Sequence, residues 1–173
     1  MTGLDPAAVG GPGTSTAVDV GEVTLHTVVA GPDDGDPVVL LHGFPECWYA
    51  WHGLIEPLAA AGYRVIAPDQ RGYNRSDKPG PVSAYRLDAL GADITGLLDA
   101  VGAADAHVVG HDWGALVAWW LALHDPERVR TLSALNVPHP TAFRRTLVSD
   151  PRQLLRSWYA VFFQLPWLPE AVA

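Results

Sequence analysis

Short unbroken apolar runs alternate along this chain with longer stretches in which apolar residues recur every three or four positions. Val38-Val39-Leu40-Leu41, Tyr63 to Pro68 and Ala106 to Gly110 are runs of the first kind, the pattern of strands buried on both faces of a parallel sheet. Between them, Trp51, Leu54, Ile55 and Leu58 fall at helical spacing, as do Leu87, Leu90, Ile94, Leu97, Leu98 and Val101. Gly62 follows the first of these helices where such a helix would stop. The stretch from Trp113 to Leu123 is apolar almost all round, which predicts a buried helix ended by Asp125-Pro126. Arg128 to Val137 supplies a further strand. Nearer the start, Ala17 to Val20 and Val23 to Ala30 flank Gly21-Glu22, a hairpin signal. Strands alternating with helices predict an α/β architecture, a mostly parallel sheet with helices on both faces.

The organisation follows from where this rhythm holds. Residues 1–16 are rich in Gly, Pro, Ala and Thr without periodicity and are expected to form a flexible leader. The core is expected over 17–138. From His139 the pattern changes to helical spacing with many aromatics and several prolines, which predicts that 139–173 begin a helical cap or lid. No internal repeat is visible.

Composition narrows the function. With 173 residues, 49% of them hydrophobic, the chain can bury a core. A net charge of -8 argues against nucleic acid or an anionic membrane as partner. The single Cys47 excludes an internal disulfide framework and a Cys-based zinc site. No secretory signal and no run of membrane-spanning length stands out, so a cytoplasmic location is expected. No ligand cluster calls for a metal or organic cofactor, and none is expected.

The candidate chemistry sits in Gly110-His111-Asp112-Trp113-Gly114, where a strand run passes directly into a helix run. This fits a nucleophile elbow, whose central residue occupies a strained strand-to-helix turn. The central residue is Asp112, not a serine. A carboxylate is already ionised near neutral pH, and it can displace a leaving group at a saturated carbon to give an alkyl ester. The alternative is that Asp112 caps the helix, a role Asp favours. Upstream, His42-Gly43-Phe44-Pro45 follows the buried strand in the place where a loop amide completes an oxyanion hole. The donors expected there are the amides of Phe44 and Trp113. His42 itself is read as a packed turn histidine, and the Phe44 side chain as ordinary core packing.

HGFPECWYAW, APDQRGYNRSDKP, GHDWGA and LNVPHP, in this order and approximate spacing, resemble the α/β-hydrolase fold epoxide hydrolases from about Val18 onward. The resemblance implies that an aspartate opens an epoxide, after which a histidine paired with an acid activates water to release a diol. It further implies a lid tyrosine that donates to the epoxide oxygen, and Tyr159 is similar to the first of these. Pro45, Trp158 and Phe163 are expected to contact a small-molecule epoxide, largely apolar. Haloalkane dehalogenases carry a similar elbow, but usually place Asn or Glu where Phe44 stands. Fluoroacetate dehalogenases place arginine where Trp113 stands.

Arg71, Arg75, Asp77 and Lys78 read as structural turn and ion-pair residues, and Cys47 as a small packing residue. His26, His52, His107, His124 and His139 lack motif context and read as satisfied or exposed histidines. His111 adjoins Asp112, but neighbouring side chains diverge around a tight elbow. The family's second-step histidine and acid lie beyond its lid, so the chain is expected to be a fragment, with its sheet incomplete on the C-terminal side. Asn136 cannot act as the acid. A non-catalytic relic of the fold is the remaining alternative, as is a dehalogenase.

Overall fold

The computed structural model describes residues 13–150 and Arg152. Tyr159, Trp158 and Phe163 lie outside the described residues. Six strands form one sheet: β1 Thr14–Asp19, β2 Thr24–Ala30, β3 Asp36–Leu41, β4 Tyr63–Pro68, β5 Ala106–His111 and β6 Val129–Leu135. Their order is β1-β2-β4-β3-β5-β6. The β1/β2 and β2/β4 pairs are antiparallel, whereas β3/β4, β3/β5 and β5/β6 are parallel. Helix α1 His52–Ala60 joins β3 to β4, α2 Leu87–Ala100 crosses from β4 to β5, and α3 Trp113–His124 joins β5 to β6. Short 3-10 turns lie at Trp48–Trp51, Val82–Tyr85 and Pro126–Arg128.

Side-chain alternation along the strands divides the core in two. Val39, Leu41, Ile66 and Val108 pack with Ile94, Leu97 and Leu98 of α2 and Val117, Ala118 and Leu121 of α3. Val38, Leu40, Val65 and Ala67 pack with Trp48, Trp51 and Ile55 on the α1 side. Neighbours such as Val38 and Val39 thus face opposite ways, as the period of a strand requires. Helices therefore cover both faces of the sheet. This is why the central strands read as unbroken apolar runs rather than as alternating ones.

The structure corrects two expectations. β1 begins at Thr14, so Thr14, Ser15 and Thr16 belong to a strand and not to the leader; their cross-strand pairing with Val29, Val28 and Thr27 outweighs their polar composition. The α3 helix is not buried all round. It buries Gly114, Ala115, Val117, Ala118 and Leu121, but Trp113 and Leu123 are 44% and 51% exposed.

The described residues fall into two compact units, one ending at Val137 and one starting at Pro138. The second contains helix α4, Pro140–Ser149, with proline in its first turn and His139 capping it by accepting the Thr141 amide proton at 3.1 Å.

Candidate functional site

The parallel strands end in loops on one edge of the sheet, the edge where ligands of open α/β sheets bind. Asp112 follows β5 there with φ 51° and ψ -120°, a conformation that costs a residue with a side chain roughly 1–3 kcal/mol. Glycines make the turn possible. A Cβ on Gly114 would run into the Leu41 carbonyl of β3, and one on Gly110 would meet the Ala115 backbone at 2.7 Å. The Asp112 amide donates to the Leu135 carbonyl at the end of β6, 3.3 Å away. The turn at Asp112 is therefore tied to strands on both sides of β5.

The strained φ carries the Asp112 side chain away from its own helix. No side-chain cap is made to α3, so the capping alternative is not what the geometry shows. Instead Oδ1 accepts the Phe44 amide proton at 3.1 Å, across from the loop after β3. Among the described residues this is the carboxylate's one hydrogen bond. Gly43 lets the two chains approach, since a Cβ there would sit 2.6 Å from that of Asp112. Trp113 is the first residue of α3, and no residue of the helix can satisfy its amide. Phe44 thus brings one amide to the carboxylate, and the amide of Trp113 follows Asp112 directly in sequence. The Phe44 side chain does not pack in the core; it is 56% exposed. Pro45, joined to it by a cis peptide, is exposed too.

The loop carrying Phe44 is braced by residues that the sequence motifs contain but do not single out. Glu46 Oε2 accepts the Gly43 amide proton at 2.8 Å and stands 3.1 Å from His111 Nδ1. Asn136, held at φ 65°, places its Nδ2 3.0 Å from His111 Nε2. Donation from Asn136 to Nε2 puts the ring proton on Nδ1, toward Glu46. His111 is thereby turned onto the loops after β3 and β6, as the divergence of elbow neighbours predicts. His42 is fully buried. Its Nε2 accepts the Gln70 amide proton at 3.0 Å and its Nδ1 donates to the Gly43 carbonyl at 2.9 Å. Burial lowers its pKa below the usual histidine value, so it is a neutral structural ring and no catalytic base.

Tyr73, from the long loop after β4, packs edge-on against His42 with ring centroids 4.9 Å apart. Burial, and then the Asp112 charge, raise its phenol pKa, so it stays protonated beside the carboxylate. With Tyr85, Leu90, Trp113, Val117, Gln70 and Arg71 it lines a cavity of about 180 Å³. The charged residues of this loop do what turn residues do. Arg71 is buried and forks onto Asp93 at 2.8 and 2.6 Å, contacts that hold its guanidinium charged. Asp77 accepts the Thr24 amide proton, and Lys78 donates to the Asn74 and Ser76 carbonyls. Cys47 packs partly buried against the α1-side core, and burial pushes its thiol pKa up. Among the described residues no cluster of ligating side chains could hold a metal, and no helix is long and apolar enough to cross a membrane.

Chemically, this is a partly buried carboxylate at the ends of the parallel strands with one directed amide donor, a neutral phenol nearby, and a partly aromatic cavity lined in part by the residue that follows it, Trp113. The family model described as alpha/beta hydrolase fold matches residues 36–170. The AB hydrolase superfamily protein YfhM of Bacillus subtilis is 52% identical over 154 residues, covering 89% of this chain and 54% of that protein. Epoxide hydrolase A of Mycobacterium tuberculosis is 45% identical over 164 residues, 91% of this chain and 50% of the other. A Bacillus megaterium epoxide hydrolase, solved in complex with an inhibitor, superposes with a TM-score of 0.84 at 34% identity, over 90% of this chain and 54% of that one. The chain spans about half the length of the curated relatives it matches.

Proposed function

The chain belongs to the α/β-hydrolase fold family, and from that premise we propose that it carries the alkylating site of an epoxide hydrolase, with Asp112 as nucleophile. The observation that carries this reading is the Asp112 side chain. It is turned off its own helix at a strained φ and set against the Phe44 amide, a geometry with a conformational cost and no capping benefit. Relatives and solved neighbours named as epoxide hydrolases support the substrate class.

In the first step a carboxylate oxygen of Asp112 attacks an epoxide carbon. A new C–O ester bond forms, the strained C–O bond breaks, and the departing alkoxide takes up a proton. Tyr159 is the proposed donor for that proton; Trp158, Phe163 and Pro45 are proposed to contact the substrate. In the second step water adds to the ester carbonyl. The amides of Phe44 and Trp113 then hold the oxyanion, and collapse returns the diol and the free carboxylate. The histidine and acid that would activate this water are proposed to lie in the part of the relatives' length that this chain does not span, and without them the ester on Asp112 is expected to be long-lived. The exposed Phe44 side chain suits an apolar epoxide, and the 180 Å³ cavity, lined by Tyr73, Tyr85, Leu90 and Trp113 as well as Gln70 and Arg71, has room for one aromatic ring, since a cavity of about 150 Å³ holds benzene.

Intact-protein mass spectrometry after incubation with styrene oxide tests this. An adduct of one epoxide mass is expected on Asp112 and absent from Asp112→Asn. A folded protein that gives neither adduct nor diol would leave the elbow as a non-catalytic fold element. Bromide release from a bromoalkane, with no reaction on epoxides, would move the assignment to a dehalogenase.

A further inference from the structure

A second arrangement of reactive side chains lies on the hairpin at the far side of the sheet. Ser15 Oγ is 2.7 Å from His26 Nε2, and His26 Nδ1 is 2.6 Å from Asp69 Oδ2. Asp69 is fully buried. Its Oδ1 accepts the Trp48 amide proton at 2.9 Å, and its Oδ2 also accepts from Asn74 at 2.7 Å. Those donors hold the carboxylate as an acceptor, which places the ring proton of His26 on Nδ1 and leaves Nε2 to accept from the serine. His26 is held as well: its amide donates to Ser76 Oγ at 2.9 Å, and that hydroxyl donates to the Asp69 carbonyl at 2.6 Å. A nucleophile in reach of a base, itself oriented by a third group, is the geometry of an activated hydroxyl.

Ser15 is half-buried, whereas the base and the acid are 6% and 0% exposed. Its strand, β1, pairs with β2 alone among the described residues. The outer edge of such a strand presents unpaired amides, which a developing oxyanion could use. Three strands separate β1 from β5 in the sheet order, so Ser15 stands about 19 Å from the strand that carries Asp112, four strand spacings away, although Asp69, after β4, lies only two spacings from it. The group is a different site from the one built around Asp112.

We propose that Ser15 is an activated serine that takes an acyl group from a small reactive ester. Oγ attacks the carbonyl carbon of an aryl ester while His26 Nε2 takes the hydroxyl proton. The Oγ–C bond forms, the bond to the aryl oxygen breaks, and the phenol leaves with the proton that His26 held. Asp69 keeps the imidazole in its accepting orientation and steadies its transient charge. The product is an O-acyl serine.

The test uses the full chain in its Asp112→Asn form, with 4-nitrophenyl acetate and a fluorophosphonate as probes, so its outcome is independent of the epoxide reading. Peptide mapping is expected to place one acetyl or phosphonyl group on Ser15, to lose it in Ser15→Ala, and to find it formed at least a hundredfold more slowly in His26→Asn. A folded protein unlabelled at Ser15, or labelled at a rate that His26→Asn does not change, overturns the proposal. Because His26 also braces the hairpin, Ser15→Cys gives a second readout that leaves the base in place. Its thiol should react with iodoacetamide faster in the native protein than in urea, the reverse of what partial burial alone produces. A slower native rate refutes the activation.

Discussion

Asp112 concentrates the tension between stability and chemistry in one residue. Its φ of 51° is a conformation that glycine adopts freely. Asp112→Gly is therefore expected to raise the melting temperature by about 2–4 °C, the response of a domain this size to about 1 kcal/mol, while abolishing the styrene oxide adduct. Thermal melts and mass spectra on the same samples check both halves, and a variant that melts lower removes the strain argument. The strand-to-helix turn at Asp112 was legible because the glycines on either side and the strand-to-helix switch are sequence features. The braces were not. Glu46, Tyr73 and Asn136 reach Asp112 or its neighbours from loops far apart in the chain, and no local spacing reports such contacts. His42 shows a further residue-scale effect. Burial depresses its pKa, so below the ordinary histidine value of about 6.5 the folded state binds fewer protons than the unfolded chain. Unfolding then takes up protons, and stability falls as the pH drops through that range and below. The melting temperature is expected to decline from pH 7 to pH 5.5 while the His42 ring resonances stay at their neutral positions; a His42 that titrates near 6.5 in the native protein contradicts this.

At the scale of elements, the packing of α2 on α3 rests on a missing side chain. A Cβ on buried Gly91 would collide with the Trp120 ring. Helix propensity alone makes Gly→Ala favourable by about 1 kcal/mol. Here overpacking opposes it at about 1–3 kcal/mol, so Gly91→Ala is expected to be destabilised in urea unfolding. A stabilised variant would mean that the indole swings aside at little cost. Helix positions were readable from their spacing, since Ile94, Leu97 and Leu98 of the expected stripe are buried in α2, although Leu87 at its start is exposed and Asp93, buried against Arg71, was not foreseen. The α3 helix was readable as a helix but not in its burial, since a sequence apolar on every side does not reveal which face the sheet takes. The start of β1 was hidden for the opposite reason. Thr14, Ser15 and Thr16 look like a polar tail until β2 pairs with them.

At the scale of the whole molecule, the described residues form one sheet with an apolar core on each face, and the two cores should behave as separate reserves of stability. Ile55 lies in the core on the α1 side and Leu97 in that beneath α2 and α3, so they share no partner. Each truncation to alanine is expected to cost about 2–5 kcal/mol, and the double variant to cost the sum within about 0.5 kcal/mol. Chemical denaturation of the singles and the double checks this, and a large coupling would show that the sheet transmits strain between its faces. The alternation of apolar runs with helical spacing made this layered plan readable, because burial on two faces leaves its mark on every central strand. Strand order was beyond reach of the pattern: that β3 lies between β4 and β5 depends on crossovers, which composition does not encode.

The elbow's tethers also set a time order. The Asp112 carboxylate meets an amide 68 positions earlier in the chain, and its own amide meets the carbonyl of Leu135. The first contact needs β3 beside β5 and the second needs β5 beside β6, and such distant closures come late in assembly. A ribosome must therefore release the chain well past Leu135 before the carboxylate is aimed. Until then the nascent protein carries an ordinary, undirected aspartate, harmless to whatever electrophile passes.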